Sequence, residues 1–371
     1  MCFVYNYNCV TPLGFDLQNN IEALLCEKSG IQQFAKFGTL ENLYLSKIDD
    51  DTICEAFSAV NLQGNFSRLE KMLLLAICPL LDSFTITKRT AFILSTTKGN
   101  IDNLNVSDQK SLPYLSVLAQ KIATAIGVVT EPIVISNACV SGAMAISVGK
   151  RLLASQLYDA VIVIAGDEIS EFVVSGFQSF QAMSSKPCKP YDKNRDGITL
   201  GEAASAMILT TENQNSKALI LGDSSINDAN HISGPSRTGE GLFQSINNAI
   251  KQSGLSPNQI DVINAHGTAT LYNDQMEAIA FSRSKLLHTP VNSYKGYFGH
   301  TLGCSGLLET LLTLELSRQG KILKSAGFSQ LGVPEPIQVA QHTTDKNIRY
   351  FLKTASGFGG CNTALVGEIL H

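Results

Sequence analysis

The pattern that leaves this chain the fewest options is an alternation of segment types. Short β-rich apolar runs, AFILS at 91–95, PIVIS at 132–136, AVIVIAG at 160–166 and SAMILT at 205–210, are separated by stretches of helical character. The habit continues with KALILG at 217–222, IDVINA at 260–265, IRYFLKTA at 348–355 and TALVGEI at 363–369. Several runs are apolar at successive positions, and a strand with two apolar faces must be covered on both sides. Helices are predicted near 16–27, 67–82, 115–126, 143–155, 240–253 and 304–318. Gly254 supplies a C-terminal stop after SINNAIKQS, and Ser256-Pro257 restarts the chain. Strands alternating with helices imply a layered α/β fold.

At 371 residues the chain exceeds one small core. The polar stretch TENQNSK, Thr211 to Lys217, is the best boundary, giving halves 1–211 and 212–371. No residue-level repeat relates them. With 44% hydrophobic and 16% charged residues the chain is expected to bury a large interior rather than stay disordered. A formal net charge of -4 offers no basic footprint, so no nucleic-acid partner is expected. The nine cysteines are odd in number, scattered and without a C-x-x-C pair, which fits reduced thiols rather than disulfides or a metal site. MCFVYNYNCV has no basic, long-apolar leader character, and runs such as MLLLAICPLL at 72–81 are too short to span a bilayer. A cytoplasmic protein without a membrane span is the expectation.

Chemistry concentrates in a few segments. In SNACVSGAMAI, Ser136 to Ile146, an apolar strand gives way to a helix through small residues. Cys139 then lies near a helix N-terminus, where free N–H groups and the dipole favour a thiolate. His266 follows a strand in INAHGTAT, and His300 precedes a helix in NSYKGYFGHTLGCSG; loops at such ends carry function on α/β sheets. Lys295 lies in a glycine-rich apolar stretch and, if buried, needs a carboxylate such as Glu277 or Glu309. SGFGGCN, Ser356 to Asn362, has glycines around Phe358 that can present backbone N–H groups to a ligand, or simply form a tight hairpin. Neither a G-x-x-x-x-G-K-[ST] loop nor a G-x-G-x-x-G turn opening a helix is present. Each signal alone has an ordinary structural explanation.

In this order, however, the segments resemble the β-ketoacyl-acyl carrier protein synthases, the condensing enzymes of the thiolase fold. The resemblance runs through CVTPLG and EKSGI, NACVSGAMAI, KPYDKNRDGITLGEAA, NAHGTATLYNDQMEA, NSYKGYFGHTLGCSG and ASGFGGCNTAL. It implies two similar α/β halves in an αβαβα arrangement. It implies further that Cys139 accepts an acyl group as a thioester. Decarboxylation of a malonyl thioester then yields an enolate that attacks it. His266 and His300 match the family's two histidines, whose N–H donors would stabilise the enolate preferentially in the transition state. By the same resemblance the backbone N–H groups of Cys139 and Phe358 form an oxyanion hole, and the Phe358 ring gates the second-substrate site. The resemblance further implies that Lys295 and Glu309 organise the site and that Asn264 and Glu277 belong to a structural network. It gives Thr268 and Thr270 as the residues that would hydrogen-bond a phosphopantetheine arm, and Phe177 and Met183 are candidates for the acyl-pocket wall.

No bound cofactor is implied, since the phosphopantetheine arrives on acyl carrier protein. The implied partners are acyl carrier protein and a second copy of the chain, or a related subunit in a heterodimer. The chain departs from the family in its opening strand, VYNYNC, and in a shorter stretch between STTKGN and Cys139, which bears on pocket depth. A thiolase would want a second cysteine in a C-x-G context, which Cys361 lacks; a chalcone-synthase-like enzyme would replace one histidine by asparagine. The resemblance leaves fatty-acid elongation and polyketide or pigment assembly (aryl-polyene or flexirubin-type) both open. The alternative from another class is a non-catalytic chain-length-factor-like subunit, which would usually lack the cysteine.

Overall fold

The fold is described from a computed structural model, over residues 1–105, 113–229 and 234–370. The first half contains β1 (Phe3–Val10), α1 (Arg68–Leu81), β2 (Thr90–Ser95), α2 (Leu115–Ala125), β3 (Ile133–Ile135), α3 (Ser141–Ala154), β4 (Ala160–Asp167) and β5 (Ala203–Thr210). The second contains β6 (Ala218–Asn227), α4 (Glu240–Ser253), β7 (Val262–Asn264), α5 (Leu271–Arg283), β8 (Pro290–Asn292), α6 (Ser305–Arg318), β9 (Tyr350–Gly357) and β10 (Cys361–Ile369). The strand order is β3-β2-β4-β5-β1 in the first half and β8-β7-β9-β10-β6 in the second. In both, the first three strands of that order run parallel and the last two join antiparallel. The halves therefore repeat one topology although their residues do not repeat. They meet edge to edge where Phe3 pairs Leu219 and Val4 pairs Ala218.

Alternation along the strands assigns the layers. Ile93 of β2, Val161 and Val163 of β4, and Met207 of β5 point inward with Phe351 of β9 and Leu365 of β10, onto α3 and α6 between the sheets. Phe92, Leu94, Ile162 and Ile164 point the other way, onto Met72 and Ile77 of α1 and Leu118 and Ile122 of α2. Ile263, Leu352 and Val366 of the second sheet cover Leu242 and Ile246 of α4 and Met276 and Phe281 of α5. Five layers result, helices alternating with sheets, as the resemblance implied. Each fully buried Leu, Ile or Phe contributes roughly 1.5–3 kcal/mol, so the strands that read as apolar on both faces fix this stacking. The central helices touch backbone to backbone. A Cβ on Gly142 would lie 2.5 Å from Leu307 N, and one on Gly306 would lie 2.3 Å from Ala143 N.

Local sequence sets the helix ends. Ser67 and Glu70 form a reciprocal capping box that starts α1. Helices Glu171–Ser179 and α5 were not predicted from the sequence. In α5 the reason is clear: its buried face carries Asp274 and Glu277, so no apolar stripe shows. A small three-stranded sheet (Gln32–Phe37, Leu40–Ser46, Leu200–Gly201) flanks the first half. Among the described residues no helix is long and apolar enough to cross a membrane.

Candidate active site

Between β3 and α3 the chain turns sharply. Ala138 has φ +45, a left-handed conformation uncommon for a residue with a Cβ. Ser141 locks the turn, its hydroxyl donating to Ala138 O at 2.6 Å and accepting from Asn137 N–H at 2.7 Å. Cys139 is thus held two residues before the start of α3, buried at 8% exposure. The position is the expected one, but the expected thiolate is not the resting state. Burial pushes the thiol up to about 12, against the lowering influence of the Lys295 charge and the Phe358 N–H. Desolvation of a sulfur anion outweighs the helix N-terminus here.

His266 lies just after β7 and His300 just before α6, and both rings are buried. Their centroids are 5.2 Å apart with planes at 82°. The Cys139 Sγ and one nitrogen of each ring all lie within 4.8 Å of one another. Burial, reinforced by the charges of Lys295 and Lys353, holds both imidazoles well below the usual histidine range, so both are neutral near pH 7. A neutral imidazole has one N–H, and hydrogen bonding decides which nitrogen carries it. Lys295 Nζ stands 3.5 Å from His266 Nδ1, and an ammonium only donates, so that Nδ1 accepts. His300 Nδ1 is 2.9 Å from Ser305 Oγ, a hydroxyl that also accepts from the Thr301 N–H at 3.1 Å and lies 3.0 Å from Thr301 Oγ1. With Nδ1 engaged in each ring, Nε2 is the nitrogen left for the cavity they share with Cys139. A thiol and two imidazoles this close have the donor chemistry of a soft-metal site. The ammonium groups behind the rings oppose a cation, and the arrangement suits an anion instead.

Charged groups fix the histidines from behind. Lys295 Nζ donates to His266 O at 2.6 Å and to Glu309 Oε1 at 2.6 Å, which selects Glu309 from the two carboxylates considered as its partner. Glu277 accepts from the N–H groups of His266 (2.9 Å) and Gly267 (2.6 Å), from Tyr191 OH and from Thr354 Oγ1. Asn264 pairs with Asn292 across β7 and β8 at 2.9 Å rather than with Glu277. The KPYDKNRDG stretch braces this loop: Tyr191 N–H donates to Asp274, and Arg195 donates to the carbonyls of Thr270 and Leu271.

A cavity of about 410 Å³ joins these groups and reaches Phe177, Phe180, Thr268, Thr270 and Phe358. Phe358 tips the hairpin between β9 and β10, where Gly359 and Gly360 take φ +87 and +79. The glycine-rich segment is therefore both a tight hairpin and a cavity wall. The Phe358 ring stacks on Phe177 at 5.8 Å and meets Phe180 edge-on at 5.5 Å. Thr268 and Thr270 hydroxyls are 2.9 Å apart. Met183 does not border this cavity and is corrected from wall to packing residue. Its pairing with Ile198 draws it against Val173, Leu200 and Leu302, while Ala182 and Ile198 face the opening. Sequence reading also missed Phe180 and the buried Lys353. A lysine inside the apolar run IRYFLKTA was the available signal for the latter.

Comparison with known proteins agrees with this geometry. The N-terminal domain model of the β-ketoacyl synthases matches residues 87–215 and the C-terminal domain model matches residues 217–329. The chain belongs to the β-ketoacyl synthase family. A 3-oxoacyl-[acyl-carrier-protein] synthase of mitochondria in Schizosaccharomyces pombe, named as putative, is 32% identical over 257 residues, covering 62% of this chain and 59% of that protein. The ketoacyl synthase alpha subunit of the tetracenomycin polyketide synthase of Streptomyces glaucescens is 29% identical over 269 residues, 67% of this chain and 62% of that one. The chain thus spans less than two thirds of the curated relatives it matches. A solved ketosynthase–chain length factor complex from Xenorhabdus doucetiae aligns with a TM-score of 0.87 and 27% identity, over 100% of this chain and 98% of that one. These β-ketoacyl synthase likenesses carry the thiolase-like fold over the whole chain.

Proposed function

We propose that the chain is a β-ketoacyl-acyl carrier protein synthase whose nucleophile is Cys139 and whose anion-stabilising donors are His266 and His300. The observation that carries this is the meeting of a neutral thiol and two neutral imidazoles in one cavity. In the first step Cys139 Sγ attacks an acyl thioester on a phosphopantetheine arm. The backbone N–H groups of Cys139 and Phe358 hold the tetrahedral oxyanion, and the thiol proton leaves with the released carrier sulfur. A malonyl thioester then enters along Thr268 and Thr270. Its C–CO2 bond breaks, the electron pair forms an enolate, and the two Nε2–H groups bind the enolate oxygen. The enolate carbon attacks the acyl-Cys139 carbonyl; collapse of the intermediate breaks the C–S bond, releasing a 3-oxoacyl thioester on the carrier and a Cys139 thiolate that takes a proton from water.

In this reading residues 1–211 bring the nucleophile and residues 212–371 the imidazoles. Acyl carrier protein is the delivering partner and the cytoplasm the place of work. The position of β3 at the edge of the sheet supports a dimer with a second copy or a related subunit. The non-catalytic partner reading has no use for a thiol aligned with two imidazoles.

Wild-type protein incubated with acyl-acyl carrier protein is expected to gain the acyl mass, and Cys139→Ala is expected to gain none. Persistent labelling of the variant would remove Cys139 from its role. A panel of saturated and polyunsaturated acyl carrier protein substrates, read by mass, separates fatty-acid elongation from polyketide or pigment assembly.

A further inference from the structure

Lys353 stands on β9 with no exposed surface, in a strand that is otherwise apolar or small on its inward face. Its Nζ is 2.5 Å from Glu309 Oε2, and Lys295 Nζ is 2.6 Å from Glu309 Oε1, so one carboxylate lies between two ammonium groups. Lys353 Nζ also lies 3.5 Å from Ala265 O, while Lys295 donates to the next carbonyl, His266 O. The two lysines thus clamp the main chain that carries His266.

The surrounding charges show why one lysine would not suffice. Facing Lys353 are Glu309 from α6, Lys295 from the short helix Lys295–Phe298, and Glu277 from α5. Glu309 and Glu277 bring two negative charges, and Lys295 and Lys353 bring two positive ones. Without Lys353 the cluster behind the imidazoles would carry a net negative charge, which opposes an anion on the cavity side. Burial already holds Lys353 below the usual lysine range, and both imidazoles are pushed down partly by its charge.

Resting on the condensing reading above, we infer that Lys353 is a second positioning cation of this site. It acts through Glu309 and the His266 backbone to keep both imidazoles as neutral donors and to favour the enolate. The residue touches neither the acyl nor the malonyl group, so its effect belongs to the enolate-forming step rather than to acylation.

Two variants test this. Lys353→Met keeps the stem and removes the charge, and Lys353→Gln also keeps a hydrogen-bond donor toward Glu309. Both are expected to lower malonyl decarboxylation roughly tenfold to a hundredfold while acylation of Cys139, read by mass, stays within about threefold. In 13C-histidine NMR titrations the buried imidazoles are expected to protonate about one pH unit higher in the folded variants, because a nearby positive charge is gone. Wild-type decarboxylation in Lys353→Gln, equal loss of both half-reactions, or unmoved imidazole titrations would overturn the proposal. A wild-type protein that decarboxylates nothing would sink the condensing reading, and the NMR titration would still decide the role of Lys353.

Discussion

β4 and β9 fill the same slot in the two halves. Each pairs in parallel with the second strand of its half, Ala165 opposite Ser95 in one and Lys353 opposite Asn264 in the other. In the first half the slot holds a methyl group, and Cys304 Sγ donates to its carbonyl at 3.4 Å. In the second it holds an ammonium that reaches Glu309. One topology has therefore been filled in two ways. Burial keeps the Cys139 thiol protonated until an electrophile arrives. A charged setting, at the same slot of the other half, supports donors that must receive a negative charge. The lesson is that the repeat supplies positions, and side-chain substitution at those positions supplies the division of labour.

That contrast can be broken at several points. Glu309→Gln removes the charge that the two lysines share at hydrogen-bond distance, and a buried pair broken on one side typically costs about 3–5 kcal/mol. Chemical denaturation should show a loss of that size, and a loss under about 1 kcal/mol would mean the second half is not held by its charges. His300→Ala should slow malonyl decarboxylation by roughly 10²–10³, the usual effect of losing one oxyanion donor, and affect self-acylation much less. Similar losses in both half-reactions would erase the distinction between the halves.

Asp167 gives the smallest effect. It ends β4 and accepts from Thr96 Oγ1 and from the N–H groups of Thr97, Lys98 and Gly303. Asp167→Asn should cost about 1 kcal/mol, the net contribution of a typical intramolecular hydrogen bond. Burial raises the Asp167 carboxyl above its ordinary value. Its contribution is therefore full below the unfolded aspartate range and is lost as pH rises through the folded value. The deficit of the variant should be larger near pH 4 than near pH 7. A deficit that grows with pH would assign Asp167 to a paired, charge-stabilised role like that of Glu309.

Much of this could be read from the chain. Strands such as 160–166 were legible because uninterrupted apolar runs have few alternatives, and β4 extends that run by one residue, to Asp167. Cys139, His266 and His300 were legible because each sits in a small-residue loop at an element end. Lys353 was hidden because it lies in mid-strand, where a single charge reads as a solvent-facing position. α5 was hidden because Asp274 and Glu277, which serve the adjoining turn, interrupt the buried face they share with Met276 and Phe281. Met183 was misplaced because a one-residue difference in a loop decides which side chain faces the opening. The thiol state was misjudged because helix-end polarity shows in sequence and burial does not.

The contact of α3 with α6 at Gly142 and Gly306 sets a gauge for the reactive gap. The distance from sulfur to imidazole is inherited from peptide groups in contact, not from side chains that can be exchanged. Cavity walls built of Phe177, Phe180 and Phe358 can be recut for a longer or shorter guest without resetting that gauge. A methyl group at either glycine would act as a wedge, prising the two helix starts apart while leaving every reactive residue in place.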